Sequence, residues 1–178
     1  MASLALALPV SAQPWKSPTT GSGHVAAHGQ GDFLSSMLIE HGRARSDFGV
    51  EPLAWDPALA ADAHKWAAEM ARTDRFKHSP RDWRAGRQGE NIWYGTRGAY
   101  SYSFMARMFT DEVKHFRPGI FPNVSRTGNW KDVGHYTAIV WPTTTHMGCA
   151  VASNARHDYL VCRYTPSGNI DGVHLSAR

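Results

Sequence analysis

The hydrophobic pattern of this chain changes period about two-thirds of the way along, and that change narrows the fold more than any single residue does. Up to Phe116, three segments carry apolar residues at three- and four-residue steps, the spacing that gathers them on one face of a helix. The first is predicted over Asp32 to Phe48, with Phe33, Leu34, Met37, Leu38, His41, Arg45 and Phe48 on that face. The second starts where Asp56 can cap and Pro57 takes the first helical position, at which its missing N–H costs nothing. Leu59, Ala63, Trp66, Ala67 and Met70 form its buried stripe. The third runs from about Ser101 to Phe116, with Phe104, Met105, Met108, Phe109, Glu112 and Phe116 on one side.

Beyond this point the residues become β-branched and aromatic in short runs. His135 to Trp141, Met147 to Ser153 and Tyr159 to Thr165 read as strands, the last two joined through Asn154-Ala155-Arg156-His157-Asp158 as in a hairpin. Helices followed by strands predict an α+β arrangement in which helices cover an antiparallel sheet.

The 178 residues suffice for one domain with a continuous core, and 42% hydrophobic against 19% charged is a globular balance. The net charge of +4 is spread along the chain, with no basic arm or recognition helix, which argues against nucleic acid as a partner. Ala2 to Val10 is a short apolar run, and Val10-Ser11-Ala12 has the small-residue pattern of a signal-peptidase site before Gln13. Residues 1–12 therefore read as a signal-peptide remnant, although no Lys or Arg precedes the run. Residues 13–31, rich in Ser, Thr, Gly, Pro and His, read as a flexible leader, and 32–178 as the folded domain. No stretch approaches the roughly 20 apolar residues of a membrane span. Export to an oxidising compartment, extracellular or periplasmic, favours a bridge between Cys149 and Cys162; two buried free thiols are the alternative.

Four residues stand out chemically. Glu112 places a carboxylate on an apolar stripe, where it must be paired, hydrated or protonated, unless it sits at the margin and reaches water. Glu90 follows a glycine in Gly89-Glu90-Asn91-Ile92, at the start of a strand-like segment ending near Tyr94. His78 follows the second helix in a loop stiffened by Pro80, and His135 opens the first late run. No spacing such as H-E-x-x-H assembles them, and the chain has no G-x-S-x-G elbow, phosphate-binding loop or dinucleotide fingerprint. Asn123-Val124-Ser125 is a glycosylation triplet of a kind common by chance.

Taken together, the segments resemble a known family. GHYTAIVW (Gly134 to Trp141) and YLVCRYTPSGN (Tyr159 to Asn169) are similar to the two signature motifs of the CAP superfamily of cysteine-rich secretory, antigen 5 and pathogenesis-related proteins. GENI (Gly89 to Ile92) and HGRAR (His41 to Arg45) resemble its two shorter motifs, and the likeness runs from about Phe33 to Gly172. The resemblance implies a three-layer α-β-α sandwich and a cleft holding His78, Glu90, Glu112 and His135. In several relatives the two histidines hold a divalent metal, often Zn²⁺, which assigns His78 and His135 as ligands here. Gly42 stands where the family usually has Asn, Ala138 where Gln is frequent, and a cysteine-rich extension is missing, so the chain resembles the bare bacterial version of the domain.

Three functions are compatible with this resemblance. The first is a secreted module whose cleft binds a divalent metal, or a small ligand such as a lipid, a sterol or an envelope component. The second is a metal-dependent hydrolase of peptides or cell-wall material, with Glu90 or Glu112 as general base on a metal-bound water. Two protein ligands are few for a catalytic zinc. The third is a surface interaction protein in which the four residues are a structural network.

Overall fold

The computed structural model describes residues 32–80 and 87–177. The expected signal segment (1–12) and leader (13–31) lie outside the described residues. Helix α1 (Phe33–Phe48) starts where the Asp32 carboxylate accepts from the Ser35 N–H, and stops at Gly49. There a positive φ of 84° lets the glycine N–H return to the Arg45 carbonyl. Helix α2 (Pro57–Thr73) starts as its sequence predicts: Asp56 accepts from the N–H groups of Ala58 and Leu59, and Pro57 opens the helix. Leu59, Ala63, Trp66, Ala67 and Met70 are all buried.

The main sheet has the order β1-β4-β5-β2. Strands β4 (His146–Ser153) and β5 (His157–Thr165) form the expected hairpin, and β2 (Gly89–Thr96) pairs antiparallel to β5. The two-residue β1 (Ala54–Trp55) adds a parallel edge on β4, which makes the sheet mixed. Because successive side chains on a strand face opposite ways, β5 splits its residues between two cores. Tyr159 and Val161 pack with Ala63, Trp66, Ala67 and Met70 of α2. Leu160, Cys162 and Tyr164 pack with Met37 and Phe48 of α1 and with α3 (Tyr102–Thr110) and α4 (Gly134–Ile139). The result is the three-layer sandwich. A second pair of short strands, β3 (Gly119–Ile120) and β6 (His174–Leu175), lies beside it.

Cys149 and Cys162 are direct partners in the β4–β5 register and form a disulfide, so neither is a free thiol. Closing a loop of this length contributes about 3 kcal/mol in the chain-entropy model. Among the described residues, no helix is long and apolar enough to cross a membrane.

Two elements differ from the sequence expectation. The third helix is α-helical only to Thr110, and Asp111–His115 tightens into a 3₁₀ turn. His135 to Trp141 is not a strand: Gly134–Ile139 is the helix α4. Tyr136, Thr137, Ala138 and Ile139 are four consecutive buried residues, so α4 shows no helical stripe that would distinguish it from a buried strand. Its C-terminal end is held by Arg45, which is 1% exposed and donates to the carbonyls of Ile139 (2.7 Å), Trp141 (3.1 Å), Thr144 (3.0 Å) and Glu51. Burial lowers the pKa of this guanidinium to about 10, against a smaller opposing effect of Glu51, and leaves it charged at neutral pH. One motif arginine thus fastens α1 to α4.

The contact of α2 with β4 is close enough to exclude a side chain. A Cβ at Gly148 would lie 2.2 Å from the Ala60 nitrogen and 2.6 Å from the Asp56 carbonyl oxygen, both backbone atoms of the α2 start. Gly148→Ala is therefore expected to destabilise the fold by about 2 kcal/mol or more, as forced overpacking does. Denaturant unfolding would show this as a lower midpoint at unchanged slope, and an unchanged midpoint would contradict the packing described.

Candidate functional site

The candidate residues are brought together as two pairs. In the first, Glu90 on β2 lies beneath His78, with His78 Nδ1 2.7 Å from Glu90 Oε1. The Ser79 N–H donates to the same oxygen at 2.9 Å, and the guanidinium of Arg163 on β5 approaches Oε2 at 3.1 Å. The Glu90 and Arg163 side chains are both fully buried, whereas the imidazole of His78 is 54% exposed. Burial pushes the Glu90 carboxyl up, but the hydrogen bond from His78, the Arg163 charge and the Ser79 contacts outweigh it and hold its pKa below the ordinary value. Glu90 is an ionised carboxylate committed to its neighbours.

In the second pair, Glu112 projects from the 3₁₀ turn to the start of α4. Its Oε1 lies 2.6 Å from His135 Nδ1, and its Oε2 accepts from the backbone N–H groups of His135 (2.9 Å) and Tyr136 (3.0 Å). Helix α4 starts after Val133, which supplies no side-chain cap. Glu112, 23 residues upstream, is the cap, and its negative charge suits the helix N-terminus. The carboxylate that looked misplaced on an apolar stripe is satisfied by three donors.

Both glutamates bind their histidine through Nδ1. In the neutral ring, the Nδ1 proton then goes to the carboxylate, and the Nε2 lone pair is left out of the His–Glu contact. The two pairs share strand β2. Glu90 holds His78, and the next residue, Asn91, points to the opposite face and donates from Nδ2 to the His135 carbonyl at 3.1 Å. Asn91 also donates to the Tyr164 hydroxyl (3.1 Å), which stands 2.8 Å from Nε2 of the buried His41. His41 Nδ1 lies 2.8 Å from the Met37 carbonyl, so Nδ1 carries the proton and Tyr164 donates to Nε2. From the far side, Asn169 donates to the Gly134 carbonyl at 2.9 Å and accepts from the Thr137 hydroxyl at 2.8 Å.

The sequence reading did not find Asn91, Arg163, Asn169 or Ser79. Arg163 had a signal: it is a charge inside the apolar run of β5, the same anomaly that marked Glu112. Gly42 faces open space, so the side chain missing there leaves no gap to fill. Among the described residues, the group of three potential ligands whose atoms lie within 4.8 Å of one another is His41 with Cys149 and Cys162. That group offers no metal site, because both sulfurs are spent in the disulfide and both nitrogens of His41 are hydrogen-bonded.

Comparison with known proteins agrees with this architecture. Residues 38–164 match the model of the cysteine-rich secretory protein (CAP) family. The chain is 32% identical over 148 residues to pathogenesis-related protein 1C of Nicotiana tabacum, covering 83% of this chain and 80% of that protein. It is 35% identical over 139 residues to pathogenesis-related protein PRMS of Zea mays, covering 76% and 78%. Among solved structures, the crystal structure of NaASP2 with Zn²⁺ superposes with a TM-score of 0.66 at 23% identity, covering 90% of each chain. That likeness is one of fold.

The hydrogen-bonded chain beneath the site makes a pH prediction. Burial, only partly opposed by the hydrogen bond to Met37, lowers the His41 pKa to about 4, from about 6.5 in the unfolded chain. Between these values the unfolded state binds the extra proton, so His41 contributes full stability above pH 6.5 and loses it as pH falls toward 4. The expected loss over that window is about 3 kcal/mol. Urea unfolding from pH 7.5 to 4 should show it, and a His41→Gln variant should show a flatter profile. Parallel profiles for the two proteins would contradict the neutral, buried state of His41.

Proposed function

This chain belongs to the cysteine-rich secretory protein family, and from that membership we propose that it is an extracellular binding module whose histidines His78 and His135 take up a divalent metal. One observation carries the reading: each ring is oriented through Nδ1 by a carboxylate, with Nε2 left for a ligand. Carboxylate-backed imidazole is the donor chemistry that zinc selects, and both rings reach the surface while their glutamates lie deeper. The relation of fold to a structure determined with Zn²⁺ supports it. The disulfide supports an oxidising, extracellular setting.

Two protein ligands are half of a tetrahedral set. Such a site binds metal weakly and leaves positions for water or for a donor atom of a small ligand. When bound, the metal supplies a Lewis-acidic anchor. The chain's own part is to hold the rings. Arg163 and Ser79 fix Glu90, Glu90 fixes His78, and the N-terminal N–H groups of α4 fix Glu112 against His135. Trp130, 38% exposed, lies against Gly134 beside His135, which favours a ligand with an apolar part such as a lipid or an envelope component.

Binding is favoured over hydrolysis by the state of the two carboxylates. A general base needs a carboxylate free to take a proton from water. Glu90 is neutralised by Arg163, and both oxygens of Glu112 already accept hydrogen bonds. Each histidine ring is more exposed than the carboxylate that holds it, which also favours binding over a purely structural network.

Calorimetric titration of the metal-stripped protein with Zn²⁺ tests the reading, at about pH 7.5 where free imidazole is neutral. Saturable one-site binding is expected, lost in a His78→Ala/His135→Ala variant that keeps its fold. Equal binding by both proteins, or none by the wild type, would overturn it.

A further inference from the structure

A second groove lies next to the Glu112–His135 pair, between α1 and the segment formed by α3 and its 3₁₀ extension. The two run side by side in the same direction. Phe33 packs on Tyr102 at their starts (5.0 Å), Glu40 meets Arg107 midway, and Phe48 packs on Phe116 at their ends (5.7 Å). Between them is a cavity of about 220 Å³. From α1 it is lined by Glu40, Arg43, Ala44 and Asp47, one stripe at helical spacing, and from the facing segment by Arg107 and Asp111 among others.

The charges in this groove are ordered. At one level stand Arg43 and Arg107, with Glu40 beneath them. The Glu40 side chain is only 7% exposed, and each guanidinium approaches it at 3.5 Å, long for a hydrogen bond. A guanidinium has five N–H donors, so both arginines keep most of their donor capacity. One turn further along stand Asp47 and Asp111, which make no ion pair among the described residues. Four helical residues separate each cation from the acid that follows it, which places the two levels roughly 6 Å apart. Ala44, Val113 and the buried Tyr136 give the groove apolar surface.

From this geometry we propose that the groove binds a small dipolar ligand, its anionic group on Arg43 and Arg107 and its ammonium on Asp47 and Asp111. A free dipeptide has its two charges at about the right separation. The ammonium and phosphate of a phosphoethanolamine headgroup share the chemistry. A symmetric anion or cation would meet repulsion at one end, so the recognised feature is the pair of opposite charges.

The test is a titration of isotope-labelled protein with the dipeptide Ala-Ala, read from backbone amide shifts. Saturable shifts confined to α1, α3, the 3₁₀ turn and the start of α4 are expected. N-acetylation or C-amidation of the peptide should each weaken binding at least tenfold, as should Arg107→Gln and Asp111→Asn in the protein. Both positions are exposed, and the amide spectra of the variants report directly whether the fold is kept. Glycerophosphoethanolamine identifies the source: tighter binding than the dipeptide points to a lipid headgroup, weaker binding to a peptide. Shifts that stay linear without saturation, blocked peptides that bind as well as the free one, or variants that bind like the wild type would each overturn the proposal.

Discussion

The Glu112 carboxylate holds the His135 half of the candidate site to the fold. Helix α4 has no cap of its own and no polar stripe, and its first N–H groups would be costly to leave unpaired in a partly buried position. Glu112 arrives from the 3₁₀ turn after α3 and accepts from two of them, and also from the ring of the residue that donates the first. Capping the helix and orienting His135 are therefore the same interaction. Arg45 performs the complementary task at the other end of α4, where it gathers carbonyls from that helix and the loop beyond it. A short helix of low intrinsic preference is thus fixed from both ends by charged side chains of other elements.

Strand β2 then joins this half of the site to the other. Adjacent strand residues face opposite ways, so Glu90 and Asn91 serve the two outer layers of the sandwich from one point. Glu90 fixes His78 on the α2 side. Asn91 fixes the His135 main chain on the α1 side and continues into the buried Tyr164–His41 chain. The two rings consequently rest on polar networks that run into the buried interior, the kind of support that rigidifies a site. The disulfide between β4 and β5 stabilises the hairpin whose second strand carries both Arg163 and Tyr164.

Much of this was legible in the sequence where local chemistry governs. Asp56 and Pro57 announce α2, the five-residue stripe of α2 is buried throughout, and the β4–β5 hairpin and its cysteines lie where the late runs place them. Legibility ended where tertiary contacts govern. The run from His135 to Trp141 has strand-like composition, and the contacts that hold it as a helix come from distant residues, Glu112 at its start and Arg45 at its end. The four candidate residues could be named through a family resemblance but not through spacing, since they come from a loop, a strand, a 3₁₀ turn and a helix start. Arg163 and Asn91 were missed for different reasons. The arginine breaks the apolar pattern of its strand and was detectable. The asparagine breaks nothing, and its role depends on what the opposite face of β2 meets.

Both histidine rings are held through Nδ1 by a carboxylate, which keeps Nε2 out of the His–Glu contact. Nitrogen NMR of the labelled, metal-free protein at about pH 7.5 reads this directly, because the protonated and bare ring nitrogens have well-separated shifts. In the neutral rings of His78 and His135 the proton is expected on Nδ1, with Nε2 bare. A neutral ring with its proton on Nε2 and Nδ1 bare, in either histidine, would contradict this geometry.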